Sequence, residues 1–245
     1  MAIKTNVDHA IAQGLARYVD YFNQLRHSHL IDQLDTLLTE ETEWLAYLEI
    51  RAAKAIEHLG LSEREIENII ASNRGGESGI HGFIAEYAEK GITNSRQAYA
   101  GMKELVTVLN DNGRADLLGG QDEIQMKFYQ NLSNELKKAA EYPELKMMYP
   151  KDHIDVFQKV MAGEKYVEYD GNSLSVNQIT IIKKLIENES EIRGESPEHW
   201  MKASTLNYDE VQKNTIESTL NREKEGISGK FSTDKQEVQD NVNQE

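Results

Sequence analysis

Asp116, Gln125 and Lys127 are the residues whose types and spacing best suit chemistry. They lie in a stretch, Gly113 to Tyr129, that reads as two short strands, Ala115 to Leu118 and Glu123 to Tyr129. Gly119-Gly120 between them can supply the positive φ angles of a tight hairpin. Gln125 and Lys127 are two apart on the second strand, so they point to one face. Leu117, Ile124, Met126 and Phe128 are apolar at alternate positions and half-bury that strand. An acid, an amide oxygen and an ammonium gathered at a sheet end can hold a divalent metal and orient a water. The plainer alternative is an ordinary solvated sheet face that happens to carry Asp and Lys.

The flanking segments must position these groups. Gly79 to Glu89 reads as a helix whose buried side is Phe83, Ile84 and Tyr87. Glu86 and Glu89 are three apart and share a helical face. The helix ends near Ile92-Thr93-Asn94, and a second follows with Ala98, Met102, Leu105, Val106 and Leu109 as its apolar face. Asn110-Asp111-Asn112-Gly113 is a turn signal that delivers the chain into the hairpin. Asp111 rivals Asp116, but an Asp in a turn serves local hydrogen bonds, so Asp116 is preferred. His81 opens the Glu86 helix and is expected to bond a backbone group. The Gly-rich stretch Asn73 to Gly79 lacks the Gly-Lys-Ser/Thr ending of a nucleotide-binding loop and reads as a linker, with Arg74 available to a phosphate. After the hairpin come a helix from Gln130 to Glu141, a strand from Leu145 to Tyr149, and a helix from His153 to Met161 capped by Asp152. Lys137, Lys138 and Lys146 offer local positive charge to a phosphate backbone.

Asp116, a short turn and then Gln125-x-Lys127 on the next strand resembles the PD-(D/E)XK, or restriction-endonuclease-like, nuclease superfamily in its Gln-x-Lys variant. Many members add a Glu from a preceding helix, and Glu86 stands in the matching place. The resemblance covers roughly residues 75 to 160. Ala115 stands where the family name has Pro, and Gln125 where most members have Glu, which removes one negative charge from the site. The order strand, strand, helix, strand, helix is that of such a nuclease core. The resemblance implies Mg²⁺ or Mn²⁺ held by Glu86, Asp116 and Gln125, with Lys127 orienting the attacking water. It implies metal-dependent hydrolysis of phosphodiester bonds, in DNA by analogy, and an antiviral-defence or mobile-element setting in which a further subunit recognises the target. The fold class expected is α+β, mostly helical, with a small restriction-endonuclease-like mixed sheet flanked by helices.

Composition bounds the rest. The chain has 245 residues, no Cys, and a formal net charge of -15. The acidity argues against a protein that coats nucleic acid, though not against a nuclease that binds through a local basic patch and bridging metal. No thiolate metal site, disulfide or Cys nucleophile is possible. The start carries no apolar signal run and no segment is apolar enough for a bilayer span, so a cytoplasmic protein without membrane contact is expected. Four divisions are expected: residues 1–73 as helices, 74–162 as the nuclease-like core, 163–225 as a mostly helical segment, and 226–245 as a flexible polar tail. The first region reads as several helices. One carries Ile11, Leu15, Tyr18, Phe22 and Leu25, and a second Leu30, Leu34 and Leu38. Thr39 caps a third, which Gly60 ends, and Ser62 with Glu65 forms a capping box for a fourth. It is either a packing bundle or a module for a protein partner or homo-oligomer. His27 and His29 fall between helices, where two His could bind metal, but no acid completes a set. In the last region Lys165 to Tyr169 reads as a strand closed by an Asp170-Gly171-Asn172 turn. Ser175 and Ser196-Pro197 start helices, and Tyr208 to Glu225 forms a last helix. Two rivals to the nuclease stand: a non-catalytic assembly protein with a nuclease-like fold, and a purely helical scaffold.

Overall fold

The computed structural model describes residues 2–72, 76–109 and 113–242, with side chains at 17, 19–72, 76, 79–109 and 113–240. In chain order the elements are α1 (Ala2–Ala71), α2 (Gly76–Tyr99), β1 (Val106–Val108), β2 (Leu117–Gly119), β3 (Asp122–Met126), α3 (Leu132–Lys137), β4 (Lys146–Tyr149) and α4 (Lys151–Met161). Then come β5 (Glu168–Tyr169), β6 (Asn172–Ser173), α5 (Val176–Arg193), α6 (Pro197–Trp200), β7 (Met201–Ala203) and α7 (Ile216–Val242). The fold is α+β and mostly helical, as the sequence predicts. Two compact units form: residues 50–230, and the residues up to 49 together with those from 231.

The unit of residues 50–230 is built on a mixed sheet in the order β1-β2-β3-β4-β7. β2 runs antiparallel to β1 and to β3, while β3, β4 and β7 are mutually parallel. One face of the sheet is covered by Leu59, Ile66, Ile84, Ile92 and Leu220, which pack with Leu117, Ile124 and Met126. On the other face Leu136, Phe157, Ile186 and Trp200 pack with Met147 and Tyr149. A sheet between two helical layers buries both of its faces, which is how three- to five-residue strands persist.

The hairpin forms with Leu117 opposite Ile124 and Gly119 opposite Asp122. Its turn is Gly120-Gln121, with Gly120 at φ 70, one residue later than the Gly-Gly signal suggests. The Asp170-Gly171 turn forms with both residues at positive φ, 51 and 69, and joins β5 to β6. Ser175 caps α5 in a full capping box with Gln178. Pro197 opens α6 after Ser196.

Three expectations are corrected. The N-terminal region is one helix, not four. Gly60 costs only about 1 kcal/mol in a helix interior, and the burial of Leu59, Ile66 and Ile69 on either side outweighs it. Thr39 is no cap: its hydroxyl donates back to the Asp35 carbonyl at 2.8 Å inside α1. Ser62 is likewise buried within α1. His27 and His29 lie mid-helix, where residues two apart do not share a face. Second, Val106 to Val108 is strand, not helix. α2 stops at Tyr99, and Gly101 at φ 70 turns the chain away. Asn94 then brackets Val106, its Nδ2 donating to the Val106 carbonyl at 2.8 Å and its Oδ1 accepting the Val106 N–H at 3.0 Å. Third, Tyr208–Val211 is a short 3-10 turn, and α7 begins at Ile216 and runs to Val242 through the segment expected as a flexible tail. β7 was not expected at all; its three residues carry no alternation long enough to mark a strand.

Within this unit α2 crosses α1 closely at Gly91, where a Cβ would collide with Ser62 Oγ and Cβ. Gly91→Ala is expected to destabilise the protein by about 1–3 kcal/mol, as overpacking does. Adding Ser62→Gly removes the colliding atoms and is expected to recover most of the loss of the denaturant midpoint. A Gly91→Ala protein as stable as the parent would contradict the close approach.

Candidate functional site

β2 and β3 part at Asp116, and the strand ladder is completed there by a side chain. The Asp116 N–H donates to the Ile124 carbonyl at 2.9 Å, and its carbonyl accepts the Leu109 N–H at 2.8 Å. One residue beyond the paired register, Asp116 Oδ2 accepts the Met126 N–H at 2.8 Å. The Gln125 amide, itself buried, donates from Nε2 to the same Oδ2. Lys127 follows, with its N–H on the Met148 carbonyl at 2.9 Å and its ammonium 4.8 Å from the centre of the Tyr142 ring. The Arg114 guanidinium lies 5.4 Å from that ring, donates to the Glu141 carbonyl and pairs with Glu144. Asp116, Gln125 and Lys127 are thus brought together, and Tyr142 and Arg114 join them.

Burial pushes the Asp116 carboxyl above the ordinary Asp range, against the opposing pull of Lys127, the Met126 N–H and the Gln125 amide. Burial likewise pushes the Lys127 ammonium down, against the pull of Asp116, Glu86 and Glu141. Each charge therefore depends on the other, since removing one partner leaves the remaining charge with its desolvation uncompensated.

Glu86 sits part-buried on α2, near enough to act on the Lys127 charge. Glu89, its neighbour by helical spacing, is structural. It is buried and accepts from the Ser204 hydroxyl at 2.6 Å and the Thr205 N–H at 2.8 Å, which ties α2 to the chain after β7. His81 makes the backbone bond expected of it, but far along the chain, to the Phe128 carbonyl at 2.8 Å. Asp152 caps no helix; its Oδ1 accepts the Tyr208 N–H at 3.0 Å. Lys138 pairs with Glu141 at 2.6 Å and Lys146 with Glu195 at 3.6 Å, while Lys137 is exposed. Arg74 and Asp111 lie outside the described residues.

Among the described residues no three His, Cys, Asp or Glu side chains cluster closely enough to hold a metal ion. The donors at the strand end are of another kind: one carboxylate of Asp116, the Gln125 amide and the Met126 carbonyl, which Gln125 Nε2 approaches at 3.4 Å. Rotating the Gln125 amide would exchange its nitrogen for its oxygen. The set would then consist of oxygens and fit a hard cation that keeps several waters.

A second polar cluster escaped the sequence. His153 and Glu135 are fully buried side by side, Nδ1 to Oε2 at 2.7 Å. His153 Nε2 lies 2.6 Å from the Tyr169 hydroxyl, Tyr208 stacks on the imidazole, and Glu135 Oε1 accepts the Tyr129 N–H at 3.0 Å. Tyr169 and Tyr208 face an open cleft of about 660 Å³ rimmed by Asp152, Asp155, Glu168, Asp170 and Asp209. Glu135 and His153 come from different helices, α3 and α4, so no periodicity links them.

Comparison with protein-family models finds no match to this chain. Curated proteins and solved structures give no match either. No helix among the described residues is long and apolar enough to cross a membrane.

Proposed function

We propose that this protein is a metal-dependent nuclease that hydrolyses phosphodiester bonds in DNA. The observation that carries the proposal is the convergence of Asp116, Gln125 and Lys127 where β2 and β3 part. The succession β2, β3, α3, β4, α4 supports it, being the order of a PD-(D/E)XK core. Asp116, the Met126 carbonyl and a rotated Gln125 amide would hold Mg²⁺ or Mn²⁺, with Glu86 acting on the site from α2. A bound metal of this kind lowers the pKa of its water and offsets charge that develops on phosphate. The Asp116 carboxylate fixes the Met126 backbone and presents negative charge to that cation. The Lys127 ammonium, held at the Tyr142 ring and screened from bulk water, orients the attacking water and stabilises the developing charge. Arg114 and Lys137 contact phosphate at the rim, and two such contacts give that binding a shallow dependence on added salt.

Calorimetric titration with Mn²⁺, joined to a cleavage survey on plasmid, linear and single-stranded DNA and on RNA, tests the proposal. One site that Asp116→Asn removes, and cleavage of DNA in the same metal, are the expected results. Gln125→Glu is expected to tighten Mn²⁺ by about tenfold or more, because a charged ligand replaces a neutral one. No metal bound by the parent or by Gln125→Glu would favour instead a non-catalytic assembly role for the same fold.

A further inference from the structure

Tyr142, whose ring meets the Lys127 ammonium, belongs to the segment between α3 and β4, which opens with a short 3-10 turn, Lys138–Glu141. Two turn bonds fold that segment: the Tyr142 N–H donates to the Ala139 carbonyl at 2.9 Å, and the Leu145 N–H to the Tyr142 carbonyl at 3.1 Å. A single side chain then gathers it from outside. Arg193, the last residue of α5, donates from Nη1 to the Leu145 carbonyl at 2.6 Å. From Nη2 it donates to the carbonyls of Tyr142 at 2.9 Å and Ala139 at 3.1 Å. Its Nε donates to Glu189 Oε1 at 2.6 Å, one helical turn back, and both side chains are buried. The guanidinium lies 4.7 Å from the centre of the Trp200 ring.

Stability alone does not account for this arrangement. A buried ion pair contributes little that apolar residues of like volume would not, and an ammonium would serve Glu189 as well. What needs the planar fork is three carbonyls of one segment, which a single point charge does not reach together. Those three bonds fix where Tyr142 stands. We infer that Arg193 is a positioning residue for the candidate site: by holding the carbonyls of Ala139, Tyr142 and Leu145 it keeps the Tyr142 ring on the Lys127 ammonium. Its part in cleavage rests on the nuclease reading, whereas its hold on Lys127 does not. The charged groups that bear on the ammonium are Asp116, Glu86, Glu141 and Lys138, with Arg114 at the same ring. Burial outweighs them and holds Lys127 below the ordinary lysine range. A ring that drifts away therefore hydrates the ammonium and lets its titration rise.

Nuclear magnetic resonance of the Lys127 side chain tests this on the full chain without DNA. In the parent the methylene protons next to the ammonium are expected to carry a ring-current shift from Tyr142, which Tyr142→Leu removes. Arg193→Lys keeps a cation beside Glu189 and gives up the fork. It is expected to lose most of that shift and to move the Lys127 titration upward, with the helical circular dichroism unchanged. Adding Tyr142→Leu to Arg193→Lys is expected to change Lys127 no further, because both act through one ring. Should Arg193→Lys fail to fold, Arg193→Met with Glu189→Met replaces the pair by apolar side chains and is expected to move Lys127 in the same way. If the parent cleaves DNA, Arg193→Lys is expected to lower kcat by about 10–100-fold while KM changes by less than about threefold, as misplacement of a reacting group does. A parent that cuts no DNA overturns the nuclease, and the Lys127 measurements still decide on Arg193. A folded variant whose Lys127 shift and titration match the parent's overturns the inference. So does a parent in which Tyr142→Leu leaves Lys127 unmoved.

Discussion

Asp116→Asn and Lys127→Met are each expected to lower the proposed metal-dependent DNA cleavage by about 10²–10⁴-fold, the span seen when one electrostatic or proton-transfer group is removed. Asn keeps an oxygen that can accept the Met126 N–H, so the strand end stays in place while the charge goes. Met keeps most of the Lys127 stem against Tyr142 and removes the ammonium. Both variants are expected to fold, and their circular dichroism and denaturant midpoints check this. Because each charge offsets the burial cost of the other, the double variant is expected to be closer in stability to the parent than the sum of the singles predicts. Additive stability losses would contradict a coupled pair. A cleavage loss smaller than threefold or so in both singles would remove these residues from the reaction.

His153→Ala is expected to destabilise the fold by about 3–5 kcal/mol, the cost of a cavity together with a buried carboxyl that loses its partner. Glu135→Ala is expected to cost about as much on the same grounds. Glu135→Gln separates chemistry from packing, since its amide nitrogen can donate to His153 Nδ1 while its oxygen accepts the Tyr129 N–H. Burial raises the Glu135 carboxyl well above the usual range and lowers His153 from 6.5 to about 3. The pair therefore stays net neutral, with the extra proton held between the two groups. Folded Glu135 binds its proton more tightly than unfolded, so its contribution is present below 4.5 and is lost as pH rises toward its folded value. His153 works in the opposite sense: its contribution is present above 6.5 and is lost as pH falls toward about 3. The two slopes oppose one another above 4.5; below 4.5 only that of His153 remains, and stability falls as pH drops toward about 3 by up to about 1.4 kcal/mol per pH unit. Glu135→Gln leaves His153 as the titrating member of the pair. It is expected to match the parent to within about 1 kcal/mol near pH 4.5 and to gain on it as pH rises from there. A Glu135→Gln protein that loses several kcal/mol near pH 5.5 would instead mark an ionised Glu135 beside an imidazolium.

What was legible in the sequence follows the range of the interactions. The hairpin, the Asp170-Gly171 turn and the Ser175 cap are decided by neighbours a few residues apart; the last two formed where their residues indicated and the hairpin turn one residue later. The α+β class and the gathering of Asp116, Gln125 and Lys127 follow from one turn and one alternation. The N-terminal breaks failed because Gly60 and Ser62 are weak local signals, overruled by burial along α1. β1 was hidden because Val106 and Val108 fit a helical face as readily as a strand; Asn94 and the edge of β2 decide between them. Tyr142 at the site, Glu89 on Ser204 and the Glu135–His153 pair depend on residues distant in the chain. Single-sequence patterns do not carry such contacts.

The most direct measurement is plasmid nicking by the parent protein in Mg²⁺ or Mn²⁺, set beside the same protein in EDTA and beside Asp116→Asn and Lys127→Met. The account predicts nicked and linear DNA in the parent with metal, and intact supercoils in EDTA and in both variants. Nicking that persists in both variants would contradict the site. A parent that binds Mn²⁺ through Asp116 yet cuts no DNA or RNA would contradict the nuclease.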